Sequence, residues 1–465
     1  MSELETILGQ SEVSGAAKTR LVLSMSVPAI LAELTSIAMQ YIDAAMVGSL
    51  GANATGAIGL VSSSTWLVSG LCIGMATGFS VQVAQLIGGQ REKEARDVLR
   101  QALGVLLLMG LVIGALGILI GGPLPHWLGG APEICADATV YFRIYTAVIP
   151  FGLMRQLSAS MMQCSGDMKT PSMLSALVCL LDVILNFFLI FPSRTISLLG
   201  VSLFVPGAGL DVAGAALGTA LAEALVCMQM LFKVCVRNPK LNLKSQGDWR
   251  WKKKTILTAV RLAVPMSLDH IFMCTAYVAG TFIVAPLGTI SVAANSLAVT
   301  AESLCYMPGY GIGSAATAII GQTIGAERRD LTYSFSRLSV ALAMALMGCT
   351  AVLMYVLAPF AFAFLTSDAQ VAALGTKVLR IELLAEPLYG ASICCAGVFR
   401  GAGDTLVPSI LNLVSMWGVR IMLAAVLVPK MGLQGYWVAM CAELCFRGII
   451  FLIRLFHNRW MKQKL

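Results

Sequence analysis

The sequence predicts an all-α polytopic membrane protein, with about twelve transmembrane helices in two parallel-repeat six-helix lobes around a central cleft. Three observations predict it. Of the 465 residues, 58% are hydrophobic and 12% charged, about half the charge of an ordinary soluble domain, and mean hydropathy is +0.82. Apolar stretches of about 20 residues alternate with short polar ones along the whole chain. The second half repeats the first at a constant offset of 237 residues.

Residues 1–20 are polar and lack the apolar core of a cleavable signal, so they read as a cytoplasmic N-terminal segment. Spans are expected near 21–47, 54–84, 98–122, 135–162, 171–192 and 213–236, which form the N-lobe (21–236). Residues 237–256 are the only long polar stretch and read as a cytoplasmic linker. The C-lobe (257–456) holds spans near 257–284, 291–321, 333–360, 372–399, 408–429 and 433–456, and a tail follows at 457–465. Residues 191–212 are longer than their counterpart near Pro429–Gln434 and suggest an external loop with a short hairpin.

Charge sets the expected orientation. Lys18 and Arg20 precede the first span, and Arg91, Lys93, Arg96 and Arg100 follow the second. Lys169, the basic run of the linker, Arg328 and Arg329, Arg400, and Arg459, Lys462 and Lys464 occupy every second loop thereafter. Loops 48–53 and 285–290 have no basic residue. The positive-inside rule then puts both termini in the cytoplasm of a cell-membrane protein, and it accounts for the net charge of +8 without any nucleic-acid partner. Thirteen cysteines, mostly inside apolar spans and without metal spacing, read as small packing residues.

The repeat pairs Pro28 with Pro265, Leu50-Gly51 with Leu287-Gly288, and Gly74 with Gly311. It continues through Gln85 and Gln322, Gly88 and Gly325, Pro150 and Pro387, Gly166-Asp167 and Gly403-Asp404, and Pro171 and Pro408. Six spans per half make the repeats parallel, which is transporter architecture with substrate held between the lobes near the midplane. The Gly-Asp turns are expected to be structural: glycine for a sharp turn, Asp as a helix cap, and proline in the first turn after it.

Ionisable groups at apolar depth mark the candidate site, because a carboxylate in hydrocarbon is costly and usually faces a cavity or partner. In the first span Glu33, Ser36, Gln40 and Asp43 fall within about 80° of one another on a helix. In the fifth span Asp182 and Asn186 are four apart, hence on one face. Two nearby carboxylates in a low dielectric cannot both stay ionised cheaply. At the positions equivalent to Asp43, Asp182 and Asn186, the second half has Gly280, Val419 and Leu423, so the C-lobe carries no copy of this set. It does carry His270, Glu302, Glu382, Glu386, Arg420, Glu443 and Arg447. Glu443 and Arg447, four apart, are expected to pair, and Arg420 to take Glu302 or Glu386 as its acid. Met39, Gln40, Trp66, Met161, Met162, Tyr277, Tyr306 and Met307 are candidates for the substrate cavity, since Met and aromatic side chains re-pack around varied ligands and give cations a π face. Pro28 is a candidate bending point.

At these repeated residues the chain resembles the multidrug and toxic compound extrusion (MATE) family, over roughly residues 20–455. The resemblance rests on Pro28, Asp43 and the Val47-Gly48-Ser49-Leu50-Gly51 run, the GFSVQVAQLIGGQ segment with its partner SAATAIIGQTIGAER, CSGDMKTP and RGAGDTLVP, LLDVILNFFLIF and AGAALGTA. It implies antiport: export of cationic or amphipathic drugs or metabolites against inward H⁺ or Na⁺, H⁺ being favoured, with no cofactor and a monomer sufficing. It also implies a cation site on Asp43, Asp182, Asn186 and Thr219, with Gln156 as a polar companion. The order Asp182 then Asn186 departs from the family's Asn-then-Asp form. Met273 stands where the NorM-like branch has a Glu, which favours the DinF-like branch and N-lobe coupling. The rival readings are a lipid-linked oligosaccharide flippase of the same superfamily, a membrane enzyme, and a scaffold. The first calls for a basic cavity, and the second for a polar cluster that His126, His270 and His457 do not make. The third leaves Asp43 and Asp182 unexplained.

Overall fold

The structure is a computed structural model describing residues 3–10, 12–198, 201–244, 247–457 and 459–462. Lys464 and Leu199-Gly200, which figure in the loop assignments above, lie outside the described residues. A short helix α1 (Glu3–Leu8) precedes the first lobe. That lobe contains α2 (Gly15–Gly48), α3 (Ala52–Gly88), α4 (Glu92–Ile120), the short α5 (Leu124–Trp127), α6 (Pro132–Cys164), α7 (Lys169–Leu189) and α8 (Asp211–Phe232). The second contains α9 (Lys253–Val284), α10 (Thr289–Gly325), α11 (Arg329–Leu365), α12 (Ala369–Glu382), α13 (Glu386–Gly401), α14 (Leu406–Ser415), α15 (Met422–Met431) and α16 (Leu433–Phe456). Among the described residues nine segments, α14 and α15 counting as one, are long and apolar enough to cross a membrane, and the bent pair α12–α13 adds a tenth. With α10 and α16, which are diluted by small and charged residues, the spans number twelve in two lobes.

The duplication explains how the lobes meet. Helix α2 packs on α10, and its repeat equivalent α9 packs on α3. Both crossings need a missing side chain. A Cβ on Gly74 would lie 2.7 Å from Ser267 Oγ, and one on Gly311 would lie 2.6 Å from the backbone nitrogen of Ile30. Ile30 and Ser267 are themselves repeat equivalents, so one close approach is built twice. The inner ends of α3 and α10 repeat the arrangement. A Cβ on Gly88 would collide with the Gln322 carbonyl, and one on Gly325 with the Gln85 carbonyl. Gln85 Nε2 donates to the Gly401 carbonyl at 3.3 Å, and Gln322 Nε2 to the Cys164 carbonyl at 2.7 Å. This contact lies on the face that carries both termini, where Leu4 and Ile7 of α1 are buried in one cluster with Trp460.

The turns behave as the repeat requires. Gly51 and Gly288 take φ of +111° and +94°, and Gly166 and Gly403 take +94° and +82°, values that suit glycine. Asp167 Oδ1 accepts from Thr170 N at 3.0 Å, as a cap should. Its equivalent Asp404 is instead paired with Arg454.

The halves differ in several places, among them these three. Two strands, β1 (Pro192–Leu198) and β2 (Val201–Ala208), pair antiparallel between α7 and α8. The tenth span, expected as one helix over 372–399, is broken: α12 and α13 meet at 58° across Leu383–Ala385, with Pro387 in the first turn of α13. Pro150 sits inside an unbroken α6, so proline alone does not set this break. The eleventh span passes through a π-helical turn, Met416–Ile421, whose extra residue re-aims Arg420 into the lobe. The linker is strapped down. Lys240 Nζ reaches Glu5 at 2.6 Å and the Ser165 carbonyl at 3.2 Å, and Asp248 N donates to Asp97 Oδ1 at 3.0 Å.

Candidate functional site: a carboxylate–amide cluster and its cavity

Helices α2, α7 and α8 bring Asp43, Asp182, Asn186 and Thr219 together. Helix α7 turns Asp182 and Asn186 inward, where they are 0% and 1% exposed. Asn186 Nδ2 donates to Asp43 Oδ1 at 3.0 Å and to Asp182 Oδ2 at 3.1 Å. Only the amide nitrogen can serve two carboxylates, so the side-chain orientation follows from the chemistry. The absence of a side chain at Gly218 makes room for it, since a Cβ there would collide with Asn186 Oδ1. The carboxyls of Asp43 and Asp182 are close enough to interact directly, and Thr219 lies within reach of Asp182. Thr219 Oγ1 donates to the Ala215 carbonyl at 3.2 Å. Asp182 Oδ1 and Asn186 Oδ1 are buried with no hydrogen-bond partner among the described residues. The cluster is therefore rich in acceptors and poor in donors. A proton or a small cation placed there would supply what it lacks.

Beside Thr219 opens a cavity of about 270 Å³ between α3, α6 and α8. Its walls include Ile73, Tyr141, Tyr145, Val148, Ile149 and Leu153, and its polar groups are Ser69, Arg155, Gln156, Thr219 and Glu223. Gln156 thus shares the cavity with Thr219 rather than joining the carboxylates. Arg155 Nε donates to Glu223 Oε2 at 2.5 Å. Sequence reasoning missed this pair, although two charges inside the fourth and sixth apolar spans were signal enough.

Elsewhere the expected residues scatter. Gln40 is exposed and Met39 half-buried. Tyr277 is exposed, and Tyr306 packs edge-on to Tyr310 and Tyr389. Met161 is not a cavity residue: it is 0% exposed in the N-lobe core, and Met162 is buried with it, because this stretch of α6 packs inside its own lobe. His270 lies against Gly70 at the α3–α9 crossing, 3.1 Å from the Trp66 carbonyl, a packing position.

The expected acid for Arg420 is also corrected. Neither Glu302 nor Glu386 holds it. Arg420 donates to Glu443 Oε2 at 3.0 and 2.7 Å. Arg447 donates to Glu443 Oε1 at 2.7 Å, as its spacing predicts, and Ser415 Oγ bonds the same oxygen at 2.5 Å. Glu302 is buried nearby, while Glu382 and Glu386, either side of the helix break, are 0% exposed with no hydrogen-bond partner for any carboxylate oxygen among the described residues.

One pairing escaped the position-by-position comparison of the halves. Asn412 Nδ2 donates to Asp269 Oδ2 at 3.0 Å. Asp269 and Asn412 lie on the repeat equivalents of the helices bearing Asp43 and Asn186, each eleven positions before the matching residue. Eleven residues are three turns, about 16 Å, so the same helix faces meet at another depth.

The MatE family model matches residues 28–188 and again residues 265–426, once per lobe. The chain belongs to the MATE family. It is a multi-pass membrane transporter and not an enzyme. Among curated relatives it is 23% identical to a probable multidrug resistance protein NorM of Thermotoga maritima, over 95% of this chain and 93% of that one. It is 25% identical to the multidrug resistance protein MdtK of Edwardsiella ictaluri, over 96% of each. Among solved structures, a MATE protein in the straight conformation superposes with a TM-score of 0.89 at 18% identity, covering 100% of each chain. A MOP superfamily transporter from Pyrococcus furiosus, described as having a binding pocket of reverse polarity, gives 0.89 at 17% identity, covering 100% of this chain and 99% of that one.

Proposed function

We propose that this MATE transporter is a cation-coupled antiporter, H⁺ being favoured over Na⁺, that exports cationic or amphipathic drugs or metabolites. The observation that carries the reading is the single amide of Asn186 clamped between two carboxylates, with two further buried acceptors unpartnered. One proton placed between Asp43 and Asp182 provides the missing donor and removes the repulsion. Na⁺ among the same oxygens would do so less completely, since a hard cation prefers about six oxygen ligands. A cationic substrate drawn to the same negative charge competes with the ion, which is the exchange an antiporter needs.

The relatives named multidrug resistance proteins support drug extrusion. Tight contact between the lobes at the terminal face supports an outward-facing arrangement, with both termini cytoplasmic and the basic loops beside them. Ion binding would repack α2, which carries Pro28 at a point with one backbone hydrogen bond fewer. The lobes are 21–236 and 257–456, the linker 237–256 and the tails 1–20 and 457–465, acting as a monomer. N-lobe coupling fits the DinF-like branch. Tyr277, Tyr306 and Gln40 would meet substrate from the cleft. The C-lobe acids Glu302 and Glu386 stand apart from coupling, and the Arg420 cluster is structural. A lipid-linked oligosaccharide flippase is not favoured, because the basic group of the N-lobe cavity is already paired with an acid.

Ethidium efflux from proteoliposomes under an imposed ΔpH or ΔNa⁺ tests the proposal. Efflux driven by ΔpH alone is expected. Equal efflux with and without either gradient would refute coupling.

A further inference from the structure

Lys377 and Arg380 of α12, with Thr376 and Leu384, line a groove of about 390 Å³ against Tyr355 of α11. How Arg380 is held there follows from the sequence. Pro359 lies inside α11, four residues after Tyr355, and has no N–H, so the Tyr355 carbonyl lacks its helical donor. Arg380 Nε donates to that carbonyl at 3.1 Å, and the guanidinium lies over the Tyr355 ring, 4.8 Å from its centre. An arginine carries five N–H donors in a planar fork, and this bond uses one of them. Among the described residues the Nη donors of Arg380 and the ammonium of Lys377 make no hydrogen bond or ion pair, and none of the groove's residues is acidic. The pattern that gathers basic loops at the terminal face does not account for these two charges. Helix α11 starts from that face, where Arg328 donates to the Leu8 and Gln10 carbonyls. Arg337 is the last charged residue of α11, and Tyr355 lies 18 residues beyond it, about 27 Å along the helix. A hydrocarbon core is about 30 Å thick, so the groove opens near the headgroups of the opposite leaflet. Val352, one turn from Tyr355 on the same face, is 68% exposed, and Leu384, in the break between α12 and α13, is 71% exposed. In a membrane span such apolar side chains face acyl chains.

We propose that this groove holds one anionic phospholipid of the leaflet away from the termini, as a resident partner and not as cargo. Its phosphodiester sits on the Nη edge of Arg380 and on Lys377, and its acyl chains run along the apolar face of α11. The Nη edge of a guanidinium takes two phosphate oxygens through parallel bonds. Tyr355 fixes the Nε side of Arg380 by its carbonyl and its ring, so the free edge is preorganised. Lys377 is exposed, and its stem lets the ammonium rise toward the phosphate from within the apolar zone. Two cations without an acid in the groove favour a lipid of net negative charge over a zwitterionic one. The proposal is independent of drug export, and no residue of the carboxylate–amide cluster takes part in it.

Native mass spectrometry of the purified full-length protein, titrated with dioleoylphosphatidylglycerol or dioleoylphosphatidylcholine, tests this by counting bound lipids. Basic loops elsewhere also attract anionic lipid, so the readout is the difference between wild type and variant. At equal lipid concentration Lys377→Gln should carry one phosphatidylglycerol fewer than the wild type. Refilling that place should take about tenfold more lipid, the size of one charge-assisted contact. Phosphatidylcholine retention should be the same in both proteins. Arg380→Gln should lose the same single lipid, and Arg380→Lys should keep part of the affinity. Lys377 has no partner to lose, so its variant answers the question even if the Arg380 variants unfold. A large excess of inorganic phosphate should displace nothing, because the acyl chains supply part of the binding. Equal phosphatidylglycerol counts in wild type and Lys377→Gln, an equal loss of both lipids in that variant, or displacement by inorganic phosphate would overturn the proposal.

Discussion

Replacing Asp182 by Asn keeps the shape of the side chain and removes one charge. Its Oδ2 and Asp43 Oδ1 accept hydrogen bonds from the same Asn186 nitrogen, at 3.1 and 3.0 Å. The two acceptors therefore lie within about 6 Å of each other, and two unit charges at that distance repel by about 3 kcal/mol at an effective dielectric of about 20. That repulsion is what an arriving proton or cation relieves. Without it, the affinity for the coupling ion should fall about a hundredfold. Asp182→Asn in proteoliposomes should thus bind the cation ethidium more weakly, unfold within a few degrees of the wild type, and lose most efflux driven by ΔpH. Asp43→Asn should do the same. Wild-type efflux under ΔpH from either variant would refute the reasoning, because neither carboxylate would then be exchanging charge with the gradient.

Other expectations follow from the packing. Glu443→Ala strips the counter-ion from both Arg420 and Arg447 in the core, a loss of about 3–5 kcal/mol; a clear fall in Tm measured by thiol-reactive dye is expected, and an unchanged Tm would contradict it. Gly88→Val forces a side chain onto the Gln322 carbonyl and should cost about 1–3 kcal/mol of lobe contact. Cys164, buried at that face, should then react faster with a membrane-impermeant maleimide in inverted vesicles. Pro28→Ala restores a backbone donor within α2 and stiffens it, so turnover should slow several-fold while ethidium affinity stays within about twofold; an unaltered rate would remove Pro28 from the cycle.

Much of this was legible because a membrane makes sequence speak plainly. Apolar length fixes the spans, and the offset of 237 residues fixes the pairing of helices between lobes. Asp43, Asp182 and Asn186 were recoverable because polar groups at apolar depth are few and two of them share a helix face, whereas Thr219 came only with the family resemblance. What failed depended on departures from regular helix. Arg420 sits in the π turn Met416–Ile421, and the tenth span breaks at Leu383–Ala385. Neither is written in hydropathy. Met161 failed for another reason: a methionine facing its own lobe and one facing the cleft look alike in sequence. Asp269 and Asn412 escaped because the repeat preserved the helix faces but not the depth at which they are polar.

The contact between Gln85 and Gly401, mirrored by that between Gln322 and Cys164, has a further consequence. An interface in which each side offers the other the same residues is that of a twofold dimer. It would serve two identical six-helix chains as well as two halves of one. Two separately encoded copies of the half are free to diverge, as these have. A separate subunit cannot drop its acid without its partner dropping it too, whereas here one half has glycine at position 280 and the other keeps Asp43. A carboxylate cluster confined to one half is thus open to a duplicated, joined gene and closed to a dimer of identical chains.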